Sequence, residues 1–258
     1  MSSFGDAVVW LNDPLNWQGP QGVPHLTWEH LYISGLAVGI AALVAMPLAL
    51  ALGHTGRGGG FTVVTTNVSR AIPTLALLTL FSATAIGFGN RATIIALAVF
   101  AMPPLLTNTY VGIREVDPDV VEAARGMGMS GTSVLLRVEV PLAVPLIAAG
   151  VRTAAVQVVA TATLAALVGG GGLGVIINTG FGQQDRGQII AGGILVAGLA
   201  LLTELVLAFV QRQVTPRRDR GRPGRQARGG ADAVTGADVA GGPDRGKDRD
   251  QDGAVAVS

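Results

Sequence analysis

Five apolar stretches decide what this chain can fold into. They run approximately over residues 27–52, 61–83, 91–113, 138–168 and 187–211, each near or above the roughly 20 helical residues that span a hydrocarbon core. Gly, Pro, Ser and Thr interrupt several of them, as in AMPPLLTNTY and VATATLAALVGG. Such residues weaken a soluble helix, but a membrane helix tolerates them, because neighbours re-satisfy freed backbone groups and small residues let helices approach. A soluble helical bundle is disfavoured, since its helices need a polar face and these stretches show almost none. A mean hydropathy of +0.50 agrees. The expected fold class is all-α, a polytopic membrane protein with about five spanning helices.

Arginine placement sets the orientation, because cytoplasmic loops collect positive charge near the ends of spans. With the N-terminus outside, the inner loops hold Arg57, Arg114, Arg125 and Arg137, and the C-terminal tail adds Arg212, Arg217, Arg218, Arg220, Arg222, Arg225 and Arg228. The outer segments then hold only Arg91 and Arg186. This bias predicts N-out and C-in, with an odd number of crossings. Residues 1–26 contain no Lys or Arg and include Asp6 and Asp13, so they lack the basic start of a signal peptide. They form an extracytoplasmic N-terminal arm, and the first span stays in place as a helix.

Residues 27–211 are then the membrane domain and 212–258 a cytoplasmic tail. The tail is rich in Gly, Arg and Asp and nearly free of aliphatic bulk. It buries too little apolar surface to offset the entropy of ordering, which predicts disorder. Its arginines between 217 and 228 hold the C-terminus inside, or bind anionic headgroups. The chain has no cysteine, and His25, His30 and His54 stand at unrelated spacings. No disulfide, catalytic thiol or metal site is expected, and no nucleic-acid partner.

The loop of about 114–137 is the polar exception in an apolar chain. Asp117-Pro118 supplies a helix cap and a proline at the first helical position, and Asp119 and Glu122 place negative charge near the positive end of the dipole. These signals predict a short helix over 118–127, stopped by Gly128 in a left-handed conformation. Ser130 then caps a second short helix through LLRVEV, and Pro141 marks re-entry into lipid. Ala123 and Ala124 leave room for a partner surface beside Glu122 and Arg125, whose charges suit charge-assisted bonds. A solvated loop with helical bias accounts for the same residues equally well.

A resemblance separates these readings. Glu122-Ala123-Ala124, three residues, Gly128, nine residues and Val138-Glu139-Val140-Pro141 resemble the E-A-A-x3-G-x9-I-x-L-P signature of permease subunits of ABC importers, with valines for the usual Ile and Leu. WEHLYIS at 28–34, IPTLALL at 72–78, TNTYVGIREVDPDVVEAARGMGMS at 107–130 and GVRTAAVQVVATATLAALVGGGGLG at 150–174 resemble the osmoprotectant branch of that family. The likeness covers about residues 27–211. It implies the transmembrane domain of a type I ABC importer in a bacterial inner or plasma membrane, passing glycine betaine, choline, carnitine or proline betaine. It implies that Glu122, Ala123, Ala124, Arg125, Gly128 and Pro141 form the element that couples to a cytoplasmic ABC ATPase. A separate extracytoplasmic substrate-binding protein and a second permease copy or paralogue are implied as well. Rival readings are a permease for another solute, of methionine or sulfonate type, or a channel or osmosensor that needs no ATPase.

The lysine that a P-loop requires is missing, since the only lysine is Lys247 in the tail. ATP and magnesium are therefore expected on the partner and no cofactor on this chain, which is not an enzyme. Gly169, Gly171 and Gly174 formally satisfy a dinucleotide fingerprint, but they follow a long apolar span, where no βαβ unit exists, and glycine there serves tight bends and close helix contact. Polar groups inside a membrane are functional suspects. Pro73, Asn108, Gln157, Thr161 and Thr163 are candidates for lining the path. Glu204, Arg70 and Arg152 are read as structural or as snorkelling to the inner surface. Asn67-Val68-Ser69 matches a glycosylation sequon by chance. With only twelve aromatic residues, the chain is poorly equipped for a quaternary-ammonium cage, so selection is expected mainly in the binding protein.

Overall fold

A computed structural model describes residues 3–60 and 73–214, and every element it contains is helical. In order these are α1 (Ser3–Asn12), a 3-10 turn (Pro14–Trp17), α2 (Val23–Thr55), α3 (Thr74–Ser82), α4 (Asn90–Arg114), α5 (Pro118–Gly126), the long rod α6 (Gly131–Val168), α7 (Gly174–Gln183) and α8 (Arg186–Val214). Four of them, α2, α4, α6 and α8, are long and apolar enough to cross a membrane. Residues 212–214 of the expected cytoplasmic tail belong to α8; the rest of the tail, the sequon and Arg70 lie outside the described residues.

The core is built from small side chains. Along α2 the buried positions Ile33, Ala37, Ala41, Ala45, Ala49 and Gly53 recur every four residues, a stripe with little bulk that lets backbones come close. Leu97, Ala98, Ala101 and Leu105 of α4 and Ala154, Val158 and Ala162 of α6 fill it. Lipid tails are as apolar as leucine, so such contacts are held by close packing and not by escape from water. Tightness is visible at two glycines. A methyl group on Gly53 would stand 2.8 Å from Ile113 Cβ, and one on Gly150 would stand 2.7 Å from Asn108 Cβ.

Contacts at the two ends fix the topology. At one end, Glu29 near the start of α2 bonds Asn90 at the start of α4. At the other, Gly53 and His54 at the end of α2 meet Ile113 of α4 and Glu139 of α6. Thus α2 and α4 run in the same direction, and α6 runs against them. Two parallel neighbouring spans require the chain to return across the bilayer between Thr55 and Asn90. Helix α3 is the described part of that return, and it packs Leu78 on Ala96 and Val168. The rest of the expected second span, residues 61–72, lies outside the described residues. Among the described residues four helices are long and apolar enough to span, and their directions agree with the expected N-out, C-in arrangement of about five.

Helix α2 begins at Val23, four residues before the expected span start. Gly22 occupies its cap position and Pro24 its first turn. The arm is folded, since α1 and the 3-10 turn precede this helix and Ala7 is fully buried. A second difference concerns α6. The sequence predicts a separate short helix that ends where Pro141 re-enters lipid, but the helix is continuous. It starts as α-helix at Gly131–Val134, widens to a π-helical turn at Leu135–Glu139 and resumes as α-helix over Val140–Thr161. The Val140 amide bonds the Leu135 carbonyl, five residues back. Pro141 has no amide hydrogen to offer, and this widened turn carries the rod past it without a break. The rod closes in a 3-10 turn, Ala162–Val168, before Gly169.

Candidate functional site

The inner end of the bundle presents one short helix to solvent. In α5 the Asp117 carboxylate accepts from the Asp119 amide at 3.0 Å, the Asx cap that the sequence predicts. At its other end the Met129 amide bonds the Ala124 carbonyl and the Gly128 amide bonds the Arg125 carbonyl, which together make a Schellman stop. Gly128 has φ +84°, a value that costs a side-chain-bearing residue roughly 1–2 kcal/mol. Met127 holds the last cap position, so the helix stops one residue before the expected end. Ser130 then caps α6, accepting from the Ser133 amide.

Only Ala124 of α5 is buried. Glu122, Ala123 and Arg125 are exposed, with Val120 at 43% and Met127 at 77%. Val120, Ala123 and Met127 stand three and four residues apart, so they share one face. The short helix at the inner end of the bundle thus shows a narrow apolar strip on one side, with Glu122 and Arg125 exposed on the other. Behind it, His54 Nδ1 lies 2.7 Å from Glu139 Oε2. This pair ties the end of α2 to the π turn of α6.

Polar contacts also organise the bilayer interior and the outer end. Arg152 donates to both carboxylate oxygens of Glu204 and, at 3.1 Å, to Gln211 Oε1, while the Gln211 amide reaches the Pro145 carbonyl. At the outer end, Glu29 accepts from Asn90 and from the Gly172 amide, and Asn90 accepts from the Gly171 amide. His30, fully buried, donates from Nε2 to the Val159 carbonyl and accepts from the Leu173 amide at Nδ1. These bonds clamp the loop 169–173 onto α2 and α4. A methyl on Gly171 would fall on the Glu29 carboxylate, and one on Gly174 on the Thr163 carbonyl. The glycine run is there to admit the clamp, which accounts for its composition without a nucleotide. A groove of about 460 Å³ between α2, α6 and α8 is lined by aliphatic groups with Ser34 and Thr203 and has no aromatic wall.

Residues 37–220 match the sequence profile of a family described as binding-protein-dependent transport system inner membrane component. The chain belongs to this family. It is 40% identical over 191 residues to the glycine betaine/carnitine/choline transport system permease protein OpuCB of Bacillus subtilis, across 74% of this chain and 88% of that protein. It is 39% identical to the choline transport system permease protein OpuBB of the same organism, over 74% and 87%. To the carnitine transport permease protein OpuCB of Listeria monocytogenes it is 38% identical, over 75% and 88%. The backbone superposes on an inward-facing structure of the MetNI methionine ABC transporter with a TM-score of 0.66 at 22% identity, covering 79% of this chain and 99% of that one. The chain is thus a permease subunit with the type I ABC importer fold, a multi-pass membrane protein.

The permease fold distributes the sequence-predicted residues unevenly. Glu122, Ala123, Ala124, Arg125 and Gly128 come together in α5 and its stop, whereas Pro141 lies beyond the π turn, exposed on α6. Pro73 is exposed at the cap of α3. Asn108 is half-buried where α4 meets Gly150, and its amide bonds the Pro104 carbonyl at 2.8 Å, a helix-contact position. Thr163 bonds the Ala160 carbonyl. Gln157 and Thr161 share a face of α6 with Thr153, which the sequence analysis did not single out; Gln157 and Thr153 are exposed. Arg152 and Glu204 prove to be partners. Glu139 and His54 form a further pair that sequence reasoning does not find. Glu139 stood in plain view inside VEVP, but its partner is 85 residues away.

Proposed function

We propose that the chain is the permease subunit of an ATP-driven importer of an osmoprotectant, a quaternary-ammonium compound such as glycine betaine, choline or carnitine, in a bacterial inner membrane. It works with a cytoplasmic ATPase seated on α5, an extracytoplasmic substrate-binding protein and a second permease copy or paralogue. The carrying observation is α5 itself: capped at both ends, at the inner end of the bundle, with a Val120-Ala123-Met127 strip exposed on one side and Glu122 and Arg125 exposed on the other. No described residue covers that strip, and a short exposed helix with an apolar side and a charged side fits a protein cleft. ATP and magnesium belong to the partner. Closure of the ATPases moves α5, and the continuous helix α6, braced to α2 by His54 and Glu139, carries that movement into the bundle. Such coupling requires two global states that each ligand binds differently.

The osmoprotectant assignment is supported by the names of the relatives at 38–40% identity. The aliphatic groove supplies no cation–π face for a quaternary ammonium, consistent with selection in the binding protein. Thr153, Gln157 and Thr161 form a polar stripe on α6, and a polar stripe is unfavourable against lipid. It suits the path between two copies. Uptake of labelled glycine betaine, choline and methionine after osmotic upshift, in a strain lacking the gene and its complement, tests the assignment. Restored uptake of a quaternary-ammonium compound alone is expected. Restored methionine uptake alone, or no dependence on the gene, refutes it.

A further inference from the structure

The N-terminal arm carries an apolar face that no described part of the bundle covers and the proposed transport mechanism does not use. Residues 1–36 lie outside the family match, yet α1 is tightly placed. Ala7 is fully buried, and Asp6 packs so closely on Gly187, at the outer start of α8, that a methyl there would stand 2.9 Å from its backbone. This contact holds α1 at the depth of the outer bilayer boundary. The opposite side is open and largely apolar, with Asn12 and Asp13 exposed at its C-terminal end. Phe4, Val8 and Val9 are exposed at 71%, 56% and 61%, and Leu15 and Trp17 of the following turn continue the surface.

The face is prebuilt. Asn16 donates to the Trp10 carbonyl and Trp17 Nε1 to the Leu11 carbonyl, both at 2.8 Å. These bonds satisfy carbonyls at the end of α1 and fold the turn back onto the helix. Asp13 caps the turn by accepting from the Leu15 amide. The face also continues into a surface that meets lipid. Trp28 and Tyr32, one turn apart on α2, project outward near the outer end of the first span, where aromatic belts sit at headgroup level.

We propose that α1 and its turn form an interfacial anchor, embedded by Phe4, Val8, Val9, Leu15 and Trp17 in the headgroup–acyl boundary of the outer leaflet. The occupant of this face is the lipid surface, recognised by apolar area alone, because residues 1–26 carry no Lys or Arg to attract anionic headgroups. The anchor pins the outer end of α8 through Gly187. A binding protein or a second copy on the same face is a different outcome of the test.

The full chain in phosphatidylcholine vesicles provides that test. All three native tryptophans, Trp10, Trp17 and Trp28, lie in this region, so two single-tryptophan reporters are available. One is Trp17 alone with its native cap. The other is Phe4→Trp with the native three changed to Phe. Both are expected to be quenched by lipids brominated near the carbonyl end of the acyl chain, at a depth of roughly 5–10 Å, and to be indifferent to salt and to anionic lipid. Val8→Asp is expected to lower lipid quenching of the Trp17 reporter severalfold. Reporters quenched by aqueous iodide and untouched by brominated lipid overturn the proposal. So does shielding that appears only with added binding protein or rising chain density, and so does a Val8→Asp variant that leaves quenching unchanged.

Discussion

His54 Nδ1 and Glu139 Oε2 lie 2.7 Å apart and join the inner end of α2 to the π turn of α6. Glu139 is nearly fully buried, so the pair brackets the base of the exposed helix α5. Removing the imidazole leaves a buried carboxylate with no partner, which costs about 1–3 kcal/mol or more. His54→Ala is expected to lower the thermal unfolding midpoint in detergent and to reduce uptake. His54→Gln, which keeps a donor, recovers part of both. Equal midpoints for the three proteins would show that the pair contributes nothing.

The clamp at the outer end depends on the missing side chain of Gly171. In Gly171→Ala the methyl meets the Glu29 carboxylate, and in Gly174→Ala it meets the Thr163 carbonyl. Each change is expected to destabilise the protein by about 1–3 kcal/mol, the range for overpacking. Gly39→Ala has open space around it inside α2 and serves as the control that is expected to lose no stability, or to gain up to about 1 kcal/mol. Unfolding midpoints of the three variants, measured in the same detergent, decide the matter.

Much of this architecture was legible in the sequence, because a bilayer permits few folds. The apolar lengths announced helices, the arginines gave orientation, and Asp117-Pro118 with Gly128 marked α5 to within a residue. What escaped was whatever depends on distant partners. The run GGGG says that side chains are unwelcome, but not that Glu29 and His30 are what they would strike. Pro141 reads as a break because proline ends soluble helices, and the π turn that carries α6 past it has no signature in composition. Arg152 and Glu204 read separately as structural or snorkelling groups, since 52 residues separate them. Of the path candidates, Asn108 turned out to occupy a helix contact, a role that polar identity alone does not reveal.

The Arg152–Glu204 pair couples α6 to α8 inside the bilayer, with each side chain about one-third exposed. A double-mutant cycle of Arg152→Ala, Glu204→Ala and the double variant is expected to give a coupling energy of about 1 kcal/mol. The double variant is expected to be nearer the parent in stability than the sum of the single changes. Additive losses would mean that the two charges are satisfied separately.

The stop of α5 rests on one backbone angle. Gly128→Ala forces a side chain into φ +84° and is expected to cost about 1 kcal/mol locally, loosening α5 and lowering transport more than protein yield. Gly126→Ala lies in helical backbone with nothing within 4 Å and is expected to stabilise α5 by up to about 1 kcal/mol. Uptake rates normalised to membrane protein compare the two. A Gly126→Ala loss as large as that of Gly128→Ala would contradict this assignment of the stop.

The central claim is that α5 is where an external ATPase grips the permease, and Glu122→Arg probes it most directly. This side chain is exposed, so the change reverses a charge on the proposed docking helix without disturbing the core. The measurement is retention of the ATPase on the affinity-purified permease, read together with substrate uptake by the same cells. The expected result is loss of both, with the permease present in the membrane at parental level. Retained ATPase and unchanged uptake would contradict the account.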